Sequence, residues 1–190
     1  MNAAMAEAGV YRLFFALVPP AAVREQMARA LAPVWPALGA GVRRVAPARW
    51  HLTLAFLGSF SARPSVLVER ALVAAAVIDS PPFTLCLDRL GHFGSRTRVL
   101  WLGMSVMPNE LAALRAQLVG GLQAGGVGVD RPDDFAPHLT VARGVVRPPH
   151  EHALAPVVWP VGDFALLLSH QDRAGLAYET LHRWASAAPR

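Results

Sequence analysis

The sequence predicts an α+β fold, and three observations carry that expectation. Strand-like and helix-like stretches alternate along 190 residues without the regular β-α-β spacing of a doubly wound sheet. Proline and glycine pairs, Pro19-Pro20, Pro81-Pro82 and Gly125-Gly126, cut the chain into short elements. One four-residue pattern occurs twice, His51-Leu52-Thr53-Leu54 and His138-Leu139-Thr140-Val141, 87 residues apart. An internal duplication explains that spacing, and a pseudo-twofold pair of lobes would bring the two copies face to face.

The elements follow in order. Residues 11–18 are apolar and aromatic, which suits a strand, and Pro19-Pro20 then starts a helix over 21–31. Pro33 and Pro36 end it. Residues 39–47 read as loop with a short edge strand at 42–45, and the first histidine motif forms a strand over 50–57, stopped by Gly58. A helix over 64–78 has proline in its first turn, and Asp79-Ser80-Pro81-Pro82 breaks the chain after it. Residues 83–90 and 98–104 are strands joined by the glycine-bearing loop 91–95. A third helix covers 108–123 and stops at Gly125-Gly126. Residues 130–137 approach the second histidine strand, 148–160 read as irregular, and strands over 163–169 and 178–184 flank a loop at Gly175.

Composition narrows the function classes. With 54% hydrophobic and 16% charged residues, the chain fits one compact domain, residues 1–190, or two closely packed lobes. Cys86 is the one cysteine, so neither an intrachain disulfide nor a cysteine metal cluster is available, and a cytoplasmic setting is expected. Its apolar surroundings predict a buried thiol. No basic leader followed by an apolar stretch and no membrane-length apolar run is present, so neither secretion nor a membrane partner is expected. All 18 basic residues are arginine, and the net charge is +5. Genomic base composition accounts for most of that, while the charge remains compatible with a phosphate-bearing substrate.

Alternation places His51 and Thr53 on one face of a strand and Leu52 and Leu54 on the other, with the same split in the second copy. One such motif reads as structural. Two matching copies put four polar groups on the faces opposite the leucines and valine, which costs free energy unless they line a cleft. One neutral and one charged imidazole then make a general base and general acid near neutral pH, and the threonine hydroxyls can bind an oxyanion between them. His150-Glu151-His152 suggests a metal, but two histidines at i, i+2 without further ligands read as a solvated loop. His92 is expected in an exposed hairpin loop, and Trp101 in the core.

These residues carry a resemblance that runs nearly end to end: Arg12-Leu13-Phe14-Phe15-Ala16, His51-Leu52-Thr53-Leu54-Ala55-Phe56-Leu57-Gly58, Val99-Leu100-Trp101-Leu102-Gly103, Pro137-His138-Leu139-Thr140, and a closing Ser169, Gly175, Tyr178, Leu181, Trp184 pattern. The chain resembles the bacterial RNA 2′,3′-cyclic phosphodiesterases of the LigT or ThpR type, within the two-histidine phosphoesterases. The resemblance implies two curved antiparallel sheets around a central cleft with helices outside. It implies hydrolysis of RNA 2′,3′-cyclic phosphate ends, tRNA-like fragments among them, to 2′-phosphates, with 2′-5′ joining as a further activity. No metal or other cofactor is implied, and a monomer is expected. His51 would be the proton donor and His138 the proton acceptor, with Thr53 and Thr140 on the phosphate; the motifs alone do not separate the two histidine roles. Arg143 is a phosphate-clamp candidate, although strict alternation puts it on the face opposite His138 unless a bulge or the strand end intervenes. Phe14, on the parity of Arg12 and Ala16, is a base-stacking candidate with a core role as its alternative. Competing readings are a phosphodiesterase for small cyclic nucleotides or ADP-ribose cyclic phosphate, a metal-dependent hydrolase, and a non-catalytic RNA or nucleotide-binding module.

Overall fold

A computed structural model describes residues 10–94, 98–146, 152–172 and 175–186. Nine strands and three α-helices follow in the order β1 (Val10–Leu17), α1 (Ala21–Leu31), β2 (Arg43–Arg44), β3 (Leu52–Phe60), α2 (Ser65–Ala75), β4 (Phe83–Phe93), β5 (Arg98–Gly103), α3 (Asn109–Ala124), β6 (Leu139–Val145), β7 (His152–Val161), β8 (Asp163–Asp172) and β9 (Gly175–Ala185). Short 3₁₀ turns cover Trp35–Leu38 and Pro47–Arg49. No helix among the described residues is long and apolar enough to cross a membrane.

The strands pair antiparallel in the order β7-β4-β5-β6-β3-β1-β8-β9, with β2 attached to β6. Four strands on each side form the two expected sheets, and they join through one residue pair, Leu52 opposite Leu139. The result is an α+β fold in which one curled sheet makes a half-barrel. Each histidine strand is the innermost of its half. Both are reached by a similar route, strand to helix to histidine strand, β5-α3-β6 in one half and β1-α1-β3 in the other, where the two-residue β2 intervenes before β3.

The register repeats in the same detail. In β3 the extra residues, unmatched on β1, are Leu54 and Leu57; in β6 the extra residues, unmatched on β5, are Val141 and Gly144. Both pairs lie three and six residues beyond the motif histidine. Phe14 opposite Phe56, Ala16 opposite Thr53 and Leu17 opposite Leu52 therefore correspond to Val99 opposite Arg143, Trp101 opposite Thr140 and Leu102 opposite Leu139.

Leu52, Leu54, Leu139 and Val141 enter one continuous core with Val23, Met27 and Leu31 of α1 and Leu111, Leu118 and Leu122 of α3. The helices cross over: α1, from the first half, lies against β7 of the second, and α3 lies against β3 of the first. Helices α2 and α3 pack together where Gly121 and Gly125 let Ala74 approach. A Cβ at either glycine would come within 3.2–3.3 Å of it.

Several expectations are corrected. Strand β4 continues to Phe93, because Gly91, His92 and Phe93 keep pairing with Trp101, Leu100 and Val99; His92 therefore lies in a strand and not in an exposed loop. Residues 152–161 form β7 despite Pro156 and Pro160, since an edge strand needs hydrogen bonds on one side only. Cys86 is exposed, because Phe83, Leu85 and Leu87 take the core side of β4. Of the His150-Glu151-His152 segment, residues 150 and 151 lie outside the described residues and His152 opens β7. The edge strand expected at 42–45 is β2, paired with β6.

Leu139 is fully buried and sits at the junction of the two halves. Leu139→Ala is expected to lower stability by about 3 kcal/mol in urea unfolding, from lost transfer energy plus an unfilled cavity.

Candidate active site

Both motif histidines stand one residue ahead of their strands, and the same local bond holds each. His51 Nδ1 is 2.8 Å from the Arg49 carbonyl and His138 Nδ1 is 2.7 Å from the Ala136 carbonyl, so Nδ1–H donates to the residue two positions earlier. That leaves Nε2 of each ring available for chemistry. The Pro47–Arg49 turn supplies the first carbonyl. The second lies in an approach segment held from two sides: Asp130 N donates to Phe56 O at 2.9 Å, and buried Arg115 of α3 donates to Pro132 O at 3.0 Å while its guanidinium lies over Phe135.

Alternation disposes the motifs as the sequence suggests. Leu52, Leu54, Leu139 and Val141 are in the core, while His51, Thr53, His138 and Thr140 are half-buried on the other face. Arg143 joins that face. The extra residue at Val141 resets the parity, so that Val141 and Ala142 are both buried and Arg143 emerges exposed on the histidine side.

Electrostatics binds the three groups into one site. Burial is the largest influence on both imidazoles and lowers the pKa of each below 6.5, against the opposing effect of its backbone hydrogen bond. The positive charge of Arg143 lowers both further, and His138 lowers His51. Two histidines 87 residues apart in sequence are thus both subject to the charge of one guanidinium, and His51 to that of His138 as well.

Aromatic rings flank each histidine. Phe14 lies 4.9 Å and Tyr178 5.6 Å from His51, and Phe93 meets His138 edge to face at 4.8 Å. Phe14 is only 5% exposed, closed in a cluster with Ala16, Ala165 and Leu167. Trp101 is half-buried on the His138 face, 5.4 Å from Phe93, and not in the core as expected. The part of Phe93 is not legible in a sequence reading that ends its strand at Leu90, and strict alternation from Phe83, Leu85 and Leu87 would send it to the core; the register shift after Leu87, past which Leu90 is the next fully buried side chain, turns it to the histidine side. A separate cavity of about 310 Å³ between α1 and β7 is lined by Val18, Arg24, Trp159, Asp163 and Arg183, and neither histidine reaches it. Arg24 there donates to Pro19 O and Arg183 to Asp163, each at 2.8 Å.

A histidine whose folded pKa lies below its unfolded value makes the unfolded chain the better proton acceptor. Its contribution to stability is complete above the ordinary imidazole range and is lost as pH falls through the lowered folded values. Thermal unfolding is therefore expected to show Tm falling as pH drops below about 6.5, and a His51→Asn, His138→Asn double variant should flatten that part of the curve.

Comparison with known proteins matches this architecture. The family model described as the 2′-5′ RNA ligase superfamily matches residues 14–173. The RNA 2′,3′-cyclic phosphodiesterase of Escherichia coli is 39% identical over 92% of this chain and 96% of its own length, and that of Thermus thermophilus is 31% identical over 91% and 89%. The crystal structure of E. coli LigT complexed with 3′-AMP superposes with a TM-score of 0.77 at 34% identity, covering 93% of this chain and 98% of that one. With matched sequence extending across both histidine strands and the sheet that joins them, this chain belongs to the 2′-5′ RNA ligase superfamily.

Proposed function

We propose that this chain hydrolyses RNA 2′,3′-cyclic phosphate ends to 2′-phosphates by metal-independent general acid and base catalysis. One observation carries the mechanism: two imidazoles, each with Nδ1 tied to a carbonyl two residues earlier, share the field of one arginine. The named activity of the E. coli relative supports the substrate class.

The reaction needs a proton removed from water as its oxygen attacks phosphorus, and a proton delivered to O3′ as the P–O3′ bond breaks. His138 in its neutral form accepts the first through Nε2, and His51 in its charged form donates the second; this division follows the family resemblance. Negative charge on the nonbridging oxygens is met by Arg143 and by the hydroxyls of Thr53 and Thr140. Substituting a 5′-hydroxyl for water in the same step would join RNA ends through a 2′-5′ linkage and requires no additional group.

RNA ending in 2′,3′-cyclic phosphate, incubated with the protein in EDTA, is expected to give a 2′-phosphate. His51→Ala and His138→Ala should each lower kcat by at least about 10²-fold with far-UV circular dichroism unchanged. A 3′-phosphate product, loss of activity in EDTA, or near-normal turnover in either variant would overturn the reading. Binding without turnover would favour the RNA-binding module.

The pH profile tests the electrostatics separately. Because both imidazoles have lowered pKa values, kcat/KM is expected to be bell-shaped with its optimum on the acid side of the ordinary histidine range. Arg143→Gln removes a cation that disfavours both imidazolium forms. Both limbs should then move to higher pH, and kcat should fall roughly 10²-fold from lost charge stabilisation.

A further inference from the structure

The two motif histidines are held by the same kind of bond, yet the carbonyls that hold them are secured differently. The Arg49 carbonyl belongs to a 3₁₀ turn that closes on itself, with Arg49 N donating to Ala46 O at 2.8 Å and Trp50 N to Pro47 O at 3.1 Å. The Ala136 carbonyl has no such turn. It lies between α3 and β6 in a stretch without helix or strand, and among the described residues no turn or loop bond between backbone groups fixes residues 135–137. Ala136 itself is exposed.

Arg115 reaches into this stretch from α3. It is 7% exposed and stands on the buried stripe of the helix, between Leu111 and Leu118, where an aliphatic side chain would be the ordinary choice. Its guanidinium makes two contacts. Nη2 donates to Pro132 O at 3.0 Å, and the group lies 4.7 Å over the Phe135 ring, so it grips the chain at two points, the second adjacent to Ala136. Asp133 acts on it through space, with no hydrogen bond between them among the described residues, and its buried Nε has no partner there. A cation buried on those terms adds little to folding, and a packed apolar side chain of similar size would serve the helix as well. What the guanidinium offers beyond packing is a planar grip on a carbonyl and a ring at once. Asp130 N, 2.9 Å from Phe56 O, ties the upstream end of the stretch to β3, which leaves Arg115 to set its downstream end.

We propose that Arg115 is a positioning residue for His138: by holding Pro132 and Phe135 it keeps the Ala136 carbonyl where His138 Nδ1–H donates to it, and so keeps Nε2 free of a proton. The assignment rests on the phosphodiesterase reading for the task of Nε2, and it adds the residue that fixes the tautomer. A neutral imidazole released from that bond can carry its proton on Nε2 instead, and in that form it cannot accept one there. Arg115 thus does for the second histidine what the Pro47–Arg49 turn does for the first. Its loss therefore acts on one histidine of the pair.

The tautomers are read directly by long-range proton–nitrogen correlation NMR of the imidazoles, at a pH where both are neutral. His138 is assigned by its loss in His138→Asn and His51 by its loss in His51→Asn. Both should carry the proton on Nδ1 in the unaltered protein. In Arg115→Met, His138 is expected to become a mixture of tautomers while His51 stays as it was. Turnover of RNA ending in 2′,3′-cyclic phosphate should lose about ten-fold in kcat, with KM within about two-fold. Phe135→Leu, which removes the ring and leaves the carbonyl bond, should shift His138 in the same direction, and it decides by the same readout if Arg115→Met does not fold. An unchanged His138 in the folded variants, an equal change at His51, or unfolding of both variants would make Arg115 a structural residue only and overturn the assignment. If the tautomers respond as expected but the unaltered protein leaves the cyclic phosphate intact, the phosphodiesterase reading fails and the positioning of His138 stands.

Discussion

The extra residue that each histidine strand carries three positions after its histidine is the constraint on which the rest of the site depends. Without it, strict alternation would send the side chain five positions on into the core. With it, Leu54-Ala55 and Val141-Ala142 can both be buried while Phe56 and Arg143 return to the histidine face. A strand that buries two successive residues gives up one regular ladder position, and in return gains a second functional side chain from the same stretch of backbone. The repetition of this device at matching positions in both halves argues for duplication more strongly than the four-residue motif does.

On that symmetric frame the chemistry is asymmetric. The position occupied by Arg143 in one half is occupied by Phe56 in the other, so a single guanidinium serves both imidazoles. The histidines are otherwise held alike, each by one backbone acceptor. Burial disfavours their charged forms and Arg143 adds to that effect, which makes proton donation easier and places more weight on the bound anionic phosphate to restore the imidazolium. The substrate's charge thus completes the electrostatics of the site.

The residues of the two motifs were legible because they obey local alternation: His51, Thr53, His138 and Thr140 lie opposite buried leucines and valine, as period two requires. Arg143 was legible only conditionally, since a bulge can be required by a pattern but is located by the partner strand. The α1 boundaries follow from Pro20 and the run of helix formers, and residues 21–31 form the helix. Strand β7 was illegible for a physical reason: two prolines read as a break, and only its position at the sheet edge makes them acceptable. Trp101 was misplaced because an aromatic residue in an apolar run reads as core, and the glycines that seat it, Gly91 and Gly103, belong to other positions of the sheet. Cys86 failed similarly, an apolar neighbourhood in sequence being split between two faces in space.

The exchange of helices between halves bears on how the chain is made. Helix α1 is complete by residue 31, yet the strand it covers, β7, begins at His152. During synthesis from the N-terminus, helix α1, with Val23, Met27 and Leu31 on its buried face, can meet the Pro47–Arg49 turn early but lacks β7 until the chain has been extended past His152. The first half therefore lacks part of its helix packing until the second half has been made. A truncated product that stops short of β7 exposes that face, which makes it a natural client for chaperones and proteases.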